Sequence, residues 1–219
     1  MTNIKKLIAQ KAAEEIKATG SYLTINLGIG IPTLISKYLE QEEYFLHTEN
    51  GLLGVANIED ESIDPLLVNA GKMPVREAVG ASYFNSAESF GMIRGGHIDI
   101  AVLGGLQIDS YGQVANWAIP GRDIIGVGGA MDLLEGAKKT IITTTHVSKN
   151  GTPKLVEKCL FPITSQRKVD VIVTEMAVFN WKGEFFELVD LVGDTTLEMV
   201  KNNTFMSYVV NEKVLKEDI

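Results

Sequence analysis

The feature that most constrains this chain is a repeated order of short β-prone run, glycine turn and helical pattern. Tyr22-Leu-Thr-Ile-Asn-Leu27 is such a run. It passes into Gly28-Ile-Gly30-Ile-Pro32 and then into Leu34, Ile35 and Leu39 at helical spacing. The theme returns with a strand at Phe45 to Thr48, a helix at Ser86 to Ile93, an apolar strand at Ile98 to Leu103 and a helix at Gly129 to Ala137. Two further buried strands are read at Thr140 to Val147 and Val169 to Val178. Apolar runs separated by helices are what a parallel sheet covered on both faces requires, because parallel strands are joined by helical crossovers. The reading is therefore an α/β fold: a mostly parallel open sheet covered by helices, with no linker, repeat or seam, so that residues 1–219 form a single domain. Two helices flank this core in sequence. Asn3 to Thr19 sets Ile4, Leu7, Ile8, Ala12 and Ile16 on one face between a cap at Asn3 and a stop at Gly20. Thr195-Thr-Leu-Glu198 offers a capping-box pattern for a last helix.

Composition narrows the function classes. A chain of 219 residues, 45% hydrophobic and 22% charged, is long enough for one large core and unlike disordered or collagenous sequences. Twenty Lys+Arg against 28 Asp+Glu give a net charge of −8, with no basic run interleaved with aromatics, which argues against nucleic acid as a partner. One cysteine, Cys159, allows no internal disulfide, and no apolar run approaches the ~20 residues that span a bilayer, so the chain is read as cytoplasmic.

The residues that could carry chemistry are few. His47, His97, His146 and Cys159 form no pair at metal-ligand spacing, so no metal is expected. Cys159, in Lys-Cys-Leu-Phe-Pro, reads as a small core residue, and His97 and His146 as satisfied structural histidines. Gly28-Ile-Gly30 and Gly126-Val-Gly128-Gly129 lack the full dinucleotide or nucleoside-triphosphate spacing. Such turns either let bare N–H groups approach an anion or simply supply positive φ, and the residues alone leave both readings open. Glu49, leaving an apolar strand at Glu49-Asn-Gly51, reads on physics alone as a solvated loop carboxylate.

Several motifs in order change that reading. Leu46-His-Thr-Glu-Asn-Gly-Leu-Leu-Gly54 resembles the Ser-Glu-Asn-Gly signature of the β subunits of family I coenzyme A transferases. Asn26 to Pro32, Val68-Asn-Ala-Gly-Lys72, Ser89 to Asp99, Ala115-Asn-Trp117 through Pro120-Gly121, and Gly126 to Leu133 match the same family, covering about Ile4 past Phe179. Thr48 stands where the family usually has Ser, and Gly126-Val-Gly replaces the commoner Gly-Met-Gly. Val55 to Pro65 and Met73 to Gly80 fit less well and are assigned to the neighbourhood of the acid pocket.

The resemblance implies that Glu49 attacks an acyl-CoA and becomes a glutamyl-CoA thioester, with Gly129 as an oxyanion donor. Asn26, Gly28, Lys72, Asn116 and Gly128 are the implied CoA contacts. Coenzyme A is then a substrate, with no permanently bound cofactor and no metal. Short acyl-CoAs and short carboxylic or 3-oxo acids are the implied substrates. The implied partner is a separate α subunit, in an α2β2 assembly, because the α half's Gly-Gly-Phe motif does not occur in this chain. A carboxylate suits the chemistry, since with an ordinary glutamate pKa of about 4.3 it is ionised at neutral pH and needs no partner base. A sugar-phosphate isomerase or sensor of similar architecture, and an acyl-CoA hydrolase, are the competing readings.

Overall fold

The computed structural model describes residues 2–56, 64–69, 71–122, 124 and 126–217. In chain order the elements are α1 (Thr2–Lys17), β1 (Leu23–Leu27), a 3₁₀ helix (Pro32–Tyr38), β2 (Tyr44–Thr48), β3 (Leu52–Ala56), β4 (Arg76–Tyr83), α2 (Ser86–Arg94) and β5 (Ile100–Gly104). There follow β6 (Gln107–Asp109), β7 (Val114–Ala115), α3 (Ala130–Gly136), β8 (Lys139–Thr143), β9 (Leu155–Val156), β10 (Val171–Val173), β11 (Ala177–Trp181), β12 (Phe186–Leu191), α4 (Leu197–Asn203), β13 (Tyr208–Val210) and α5 (Glu212–Glu217).

Ten strands form one sheet in the order β13-β12-β11-β10-β8-β5-β1-β2-β3-β4, and β7-β6-β9 form a small second one. The centre, β10-β8-β5-β1-β2, is parallel throughout. Both flanks turn antiparallel, through β2-β3-β4 on one side and β10-β11-β12 on the other. Along β5, Ile100 and Val102 face one core and Ala101 and Leu103 the other. That alternation explains why the run is apolar at successive positions: both faces are covered. One core packs α1 and the 3₁₀ helix onto the sheet through Ile8, Ala12, Ile16 and Ile35. The other packs α2 and α3 through Ile93, Leu133 and Leu134. These helices approach so closely that a Cβ at Gly136 would collide with the Ile93 carbonyl.

Some sequence readings need correction. Asn3 lies inside α1 rather than capping it, and Ile4 and Leu7 are exposed while Ala9 and Ala13 join the buried stripe. The pattern through Leu34 and Ile35 is a 3₁₀ helix, entered at Pro32, which has no amide to donate. The strand read to Val147 stops at Thr143, because beyond it the Thr144 and Thr145 hydroxyls donate to the Gly105 and Val147 carbonyls and turn the chain locally. The run Val169 to Val178 is two antiparallel strands, folded at Thr174, whose hydroxyl accepts the Met176 and Ala177 amides. Thr196, not Thr195, caps α4 by accepting the Met199 amide, and β13 and α5 follow that helix. Among the described residues no helix is long and apolar enough to cross a membrane.

Candidate active site

Glu49 follows the carboxyl end of β2, where the chain reverses into β3. The Gly51 amide donates to the Thr48 carbonyl at 3.1 Å, and the Phe84 amide donates to the Gly51 carbonyl at 3.1 Å. Gly51 has φ +122°, and a Cβ there would collide with the Phe84 carbonyl, so this corner requires glycine. The Asn50 side-chain amide donates to the Val68 carbonyl at 2.8 Å and ties the turn to the neighbouring loop.

The half-buried Glu49 carboxylate lies directly against Gly129, the residue preceding α3, close enough for the Gly129 N–H to favour its charged form. Gly129 is buried so close beneath it that any Cβ would overlap the carboxylate and come within 3.4 Å of Phe90 Cζ. Gly128, at φ +53°, is exposed, and its Cβ would come no nearer than 4.0 Å to Glu49 Oε1. Burial raises the Glu49 carboxyl above its ordinary value, the Gly129 N–H opposes that rise, and the nearby Asp132 charge adds to it. Asp132 is itself paired with Arg94 at 2.6 Å.

The other residues singled out in the sequence are distributed around this end of the sheet. Gly28 follows β1, and its amide donates to the Val102 carbonyl of β5 at 2.8 Å. A Cβ on Gly28 would press on that oxygen at 3.1 Å. Counted alone, the five parallel strands have the order 2-1-3-4-5, so Gly28 lies at the switch point outside their carboxyl ends, where open α/β sheets bind ligands. Lys72 is exposed at φ +59°, on a loop whose Gly71 faces Ile29 of the Gly28 turn. Asn26 is 3% exposed, and its amide nitrogen is 3.0 Å from His47 Nδ1 and 3.3 Å from the His47 carbonyl. Asn116 lies just after β7, its side-chain oxygen accepting from the Thr164 hydroxyl at 2.7 Å.

Glu49, Gly128 and Gly129 thus come together directly. Gly28 and the Lys72 loop adjoin each other, whereas Asn26 and Asn116 are engaged with protein partners. Residues 57–63, within the stretch assigned to the acid pocket, lie outside the described residues. Cys159 is partly buried, and burial pushes its thiol up to about 12, in keeping with an inert side chain. His146 is fully buried between the Thr174 and Thr204 hydroxyls, as a structural histidine should be. His97, by contrast, is exposed in the turn between α2 and β5. Among the described residues no cluster could hold a metal.

Sequence reasoning gave no role to His47 or Ser89. His47 is 2% exposed, and its Nε2 lies 3.2 Å from the Ser89 hydroxyl of α2. A signal existed, since residues two apart on a strand share a face and His47 is two before Glu49. Its partners on β1 and α2 were not readable without the fold.

Fold and site together define an α/β protein that holds a carboxylate against a glycine pair at the carboxyl ends of its parallel strands. The chain belongs to the coenzyme A transferase family, whose model, described as Coenzyme A transferase, matches residues 6–203. It is 42% identical over 217 residues to the B subunit of the probable succinyl-CoA:3-ketoacid coenzyme A transferase of Bacillus subtilis, covering 98% of this chain and 99% of that one. It is 43% identical over 209 residues to the beta subunit of the acetate CoA-transferase of Haemophilus influenzae, covering 95% and 92%. An acyl-CoA transferase (YdiF) of Escherichia coli O157:H7 has the same fold, with a TM-score of 0.77 at 21% identity over 98% of this chain and 43% of that one. The protein is accordingly a CoA-transferase subunit of the β type, and the sugar-phosphate reading is set aside.

Proposed function

We propose that Glu49 is the nucleophile of a transferase that moves CoA between a short acyl-CoA and a short carboxylic or 3-oxo acid. The observation that carries this is the seat of the Glu49 carboxylate on the Gly129 amide at the end of β2. Glu49 attacks the acyl-CoA carbonyl, the C–S bond breaks, and an acyl-glutamyl anhydride and CoA thiolate result. The thiolate then attacks the glutamyl carbonyl, expelling the first acid as its carboxylate and leaving a Glu49–CoA thioester. The incoming carboxylate reverses both steps, so thioester is exchanged for thioester with no net proton, nucleotide or metal requirement.

When the thiolate attacks, negative charge develops on Glu49's own carbonyl oxygen. A donor already beside that carboxylate, as the Gly129 N–H is, needs little reorganisation to meet it. One such donor is worth about 2.7–4 kcal/mol of barrier. Gly28 at the switch point, Gly128 and the Lys72 ammonium are proposed to border the CoA path, with Asn26 and Asn116 as further contacts. Their present partners make both depend on rearrangement when CoA binds.

Substrate and partner are read from the relatives' names. Succinyl-CoA:3-ketoacid and acetate transferases point to short acyl groups, and their designation as B and beta chains points to an α subunit. The proposed unit is this chain, 1–219, as one β-subunit domain in an α2β2 complex. Exposed apolar side chains support a covering partner: Ile29 in the Gly28 turn, Leu66 and Met73 in the Lys72 loop, and Val79 and Tyr83 on edge strand β4.

The test is borohydride added with acyl-CoA to the co-expressed complex. Reductive inactivation and a CoA adduct on Glu49 are expected, and both should vanish in Glu49→Ala. Full exchange activity in Glu49→Ala would overturn the assignment. Product analysis with and without an acid acceptor separates transfer from hydrolysis.

A further inference from the structure

We propose that His47 is a positioning residue for Glu49: a neutral imidazole that braces the end of β2 between β1 and α2 and so fixes the carboxylate over Gly129. The inference rests on the reading of Glu49 as nucleophile. It starts from Asn26, whose Nδ2 lies 3.0 Å from His47 Nδ1 and 3.3 Å from the His47 carbonyl. A carbonyl oxygen only accepts, so the atom facing it is the NH2 group; the flipped amide would set oxygen against oxygen. Nδ1 therefore accepts from Asn26 and carries no proton. The proton of the neutral ring is on Nε2, which donates to the Ser89 hydroxyl at 3.2 Å. Burial agrees, holding the ring's pKa down to about 4.

The bracing closes on the site from two directions. Phe84 stacks on the imidazole, with ring centroids 5.6 Å apart and planes 11° from parallel, and the same residue's amide holds the Gly51 carbonyl of the Glu49 turn. Ser89 is followed on α2 by Phe90, the ring that packs against Gly129. His47 thus joins the strand that delivers the nucleophile to the helix that backs its hydrogen-bond donor. His146 is a built-in comparison: it is equally buried and bonded on both ring nitrogens, but to Thr174 and Thr204, neither of which touches Glu49 or its turn.

The experiment uses the complex with the α subunit and measures kcat, KM for acyl-CoA, the single-turnover rate of borohydride-trapped adduct, and Tm. Displacing reacting groups by about 1 Å costs about 100-fold in rate. His47→Leu is therefore expected to lower kcat and the trapping rate about 100-fold, with KM changed less than about threefold. His47→Gln, which can still hydrogen-bond, should recover about tenfold of that loss and so stay about tenfold below the unsubstituted enzyme. Ser89→Ala should lower kcat about tenfold. The double variant His47→Leu/Ser89→Ala should be no slower than His47→Leu, because both remove one interaction. His146→Gln should lower Tm and leave kcat unchanged.

Unchanged kcat in His47→Leu overturns the proposal, as does a His47→Gln variant that loses Tm and keeps kcat in the manner of His146→Gln. If His47→Leu does not fold, Ser89→Ala and His47→Gln decide, and full kcat in both overturns it. Absence of a Glu49 adduct in the unsubstituted complex defeats the nucleophile reading and this one with it. A normal adduct there, formed at the same rate in folded His47→Leu, defeats only the bracing role.

Discussion

Alanine at Gly129 separates the carboxylate's seat from the stability of the fold. Gly129 has φ −81° and ψ 2°, which alanine adopts without strain, so the substitution acts through its methyl group. That methyl would overlap the Glu49 carboxylate, lie 2.9 Å from its Cδ, and meet Phe90 Cζ at 3.4 Å. The carboxylate must move by about 1 Å to reach ordinary contact, and it leaves the Gly129 N–H as it does so. Loss of one such donor corresponds to about 10²–10³ in kcat, and the misplacement alone to about 10². Stability should change little, since exchanging glycine for alanine at a helix N-cap costs about 1 kcal/mol or less, a few degrees of Tm at most. Gly128→Ala should behave in the opposite sense. Its φ of +53° makes alanine cost about 1–2 kcal/mol of stability, while its methyl would stand 4.0 Å from Glu49 Oε1, an ordinary contact. Steady-state kinetics of the complex, borohydride trapping and a thermal melt on both variants check this pair. If Gly129→Ala keeps kcat within about threefold of the unsubstituted enzyme, the carboxylate is not seated where catalysis needs it.

Other expectations follow from the titrating groups. Burial raises the Glu49 carboxyl, so the acid limb of the kcat/KM profile should lie above the ordinary glutamate value of 4.5, and Asp132→Asn, which removes a second raising charge, should shift that limb to lower pH. A raised carboxyl pKa means that folding favours its protonated form and that this stability is lost as pH rises through the folded value. Glu49→Gln should therefore raise Tm at pH 7, with the gain shrinking as the pH is lowered through that limb; an unchanged Tm across pH would contradict it. His47 and His146 have pKa values lowered from 6.5 to about 4 by burial, so each contributes stability that is present above 6.5 and lost as pH falls toward 4, about 3 kcal/mol per ring. Melts between pH 7 and 4 should show that fall, and His146→Gln should flatten it. The Cys159 thiol, pushed up to about 12, should react with a disulfide reagent at pH 8 only when the protein is unfolded, and Cys159→Ser should retain kcat. Rapid labelling of the native enzyme would refute that.

The parallel centre of the sheet was legible because a strand buried on both faces must be apolar at successive positions, as Ile100 to Leu103 are, and that pattern needs no knowledge of neighbours. The edge strand β4 and the small second sheet were not: β4 is mostly exposed and β7 and β9 are two residues each, so none carries a period to read. Thr174 cut one apparent strand into two through its own hydroxyl, a local bond that outweighs the apolar run around it.

The site divides in the same way. Glu49 and Gly129 were both marked by motifs that resemble the family's, the glycine also standing before a helix. By itself, then, the sequence determined the alternation of strands and helices, the carboxylate at a strand end and the glycine pair, since these are properties of residues near one another in the chain. Only the tertiary structure decided that Glu49 meets Gly129 across 80 residues of sequence, that Asn26 and Ser89 close on His47, and that Gly28 lies at the switch point. Those pairings depend on strand order and register, which arise from packing both faces of one sheet at once and leave no trace in local spacing.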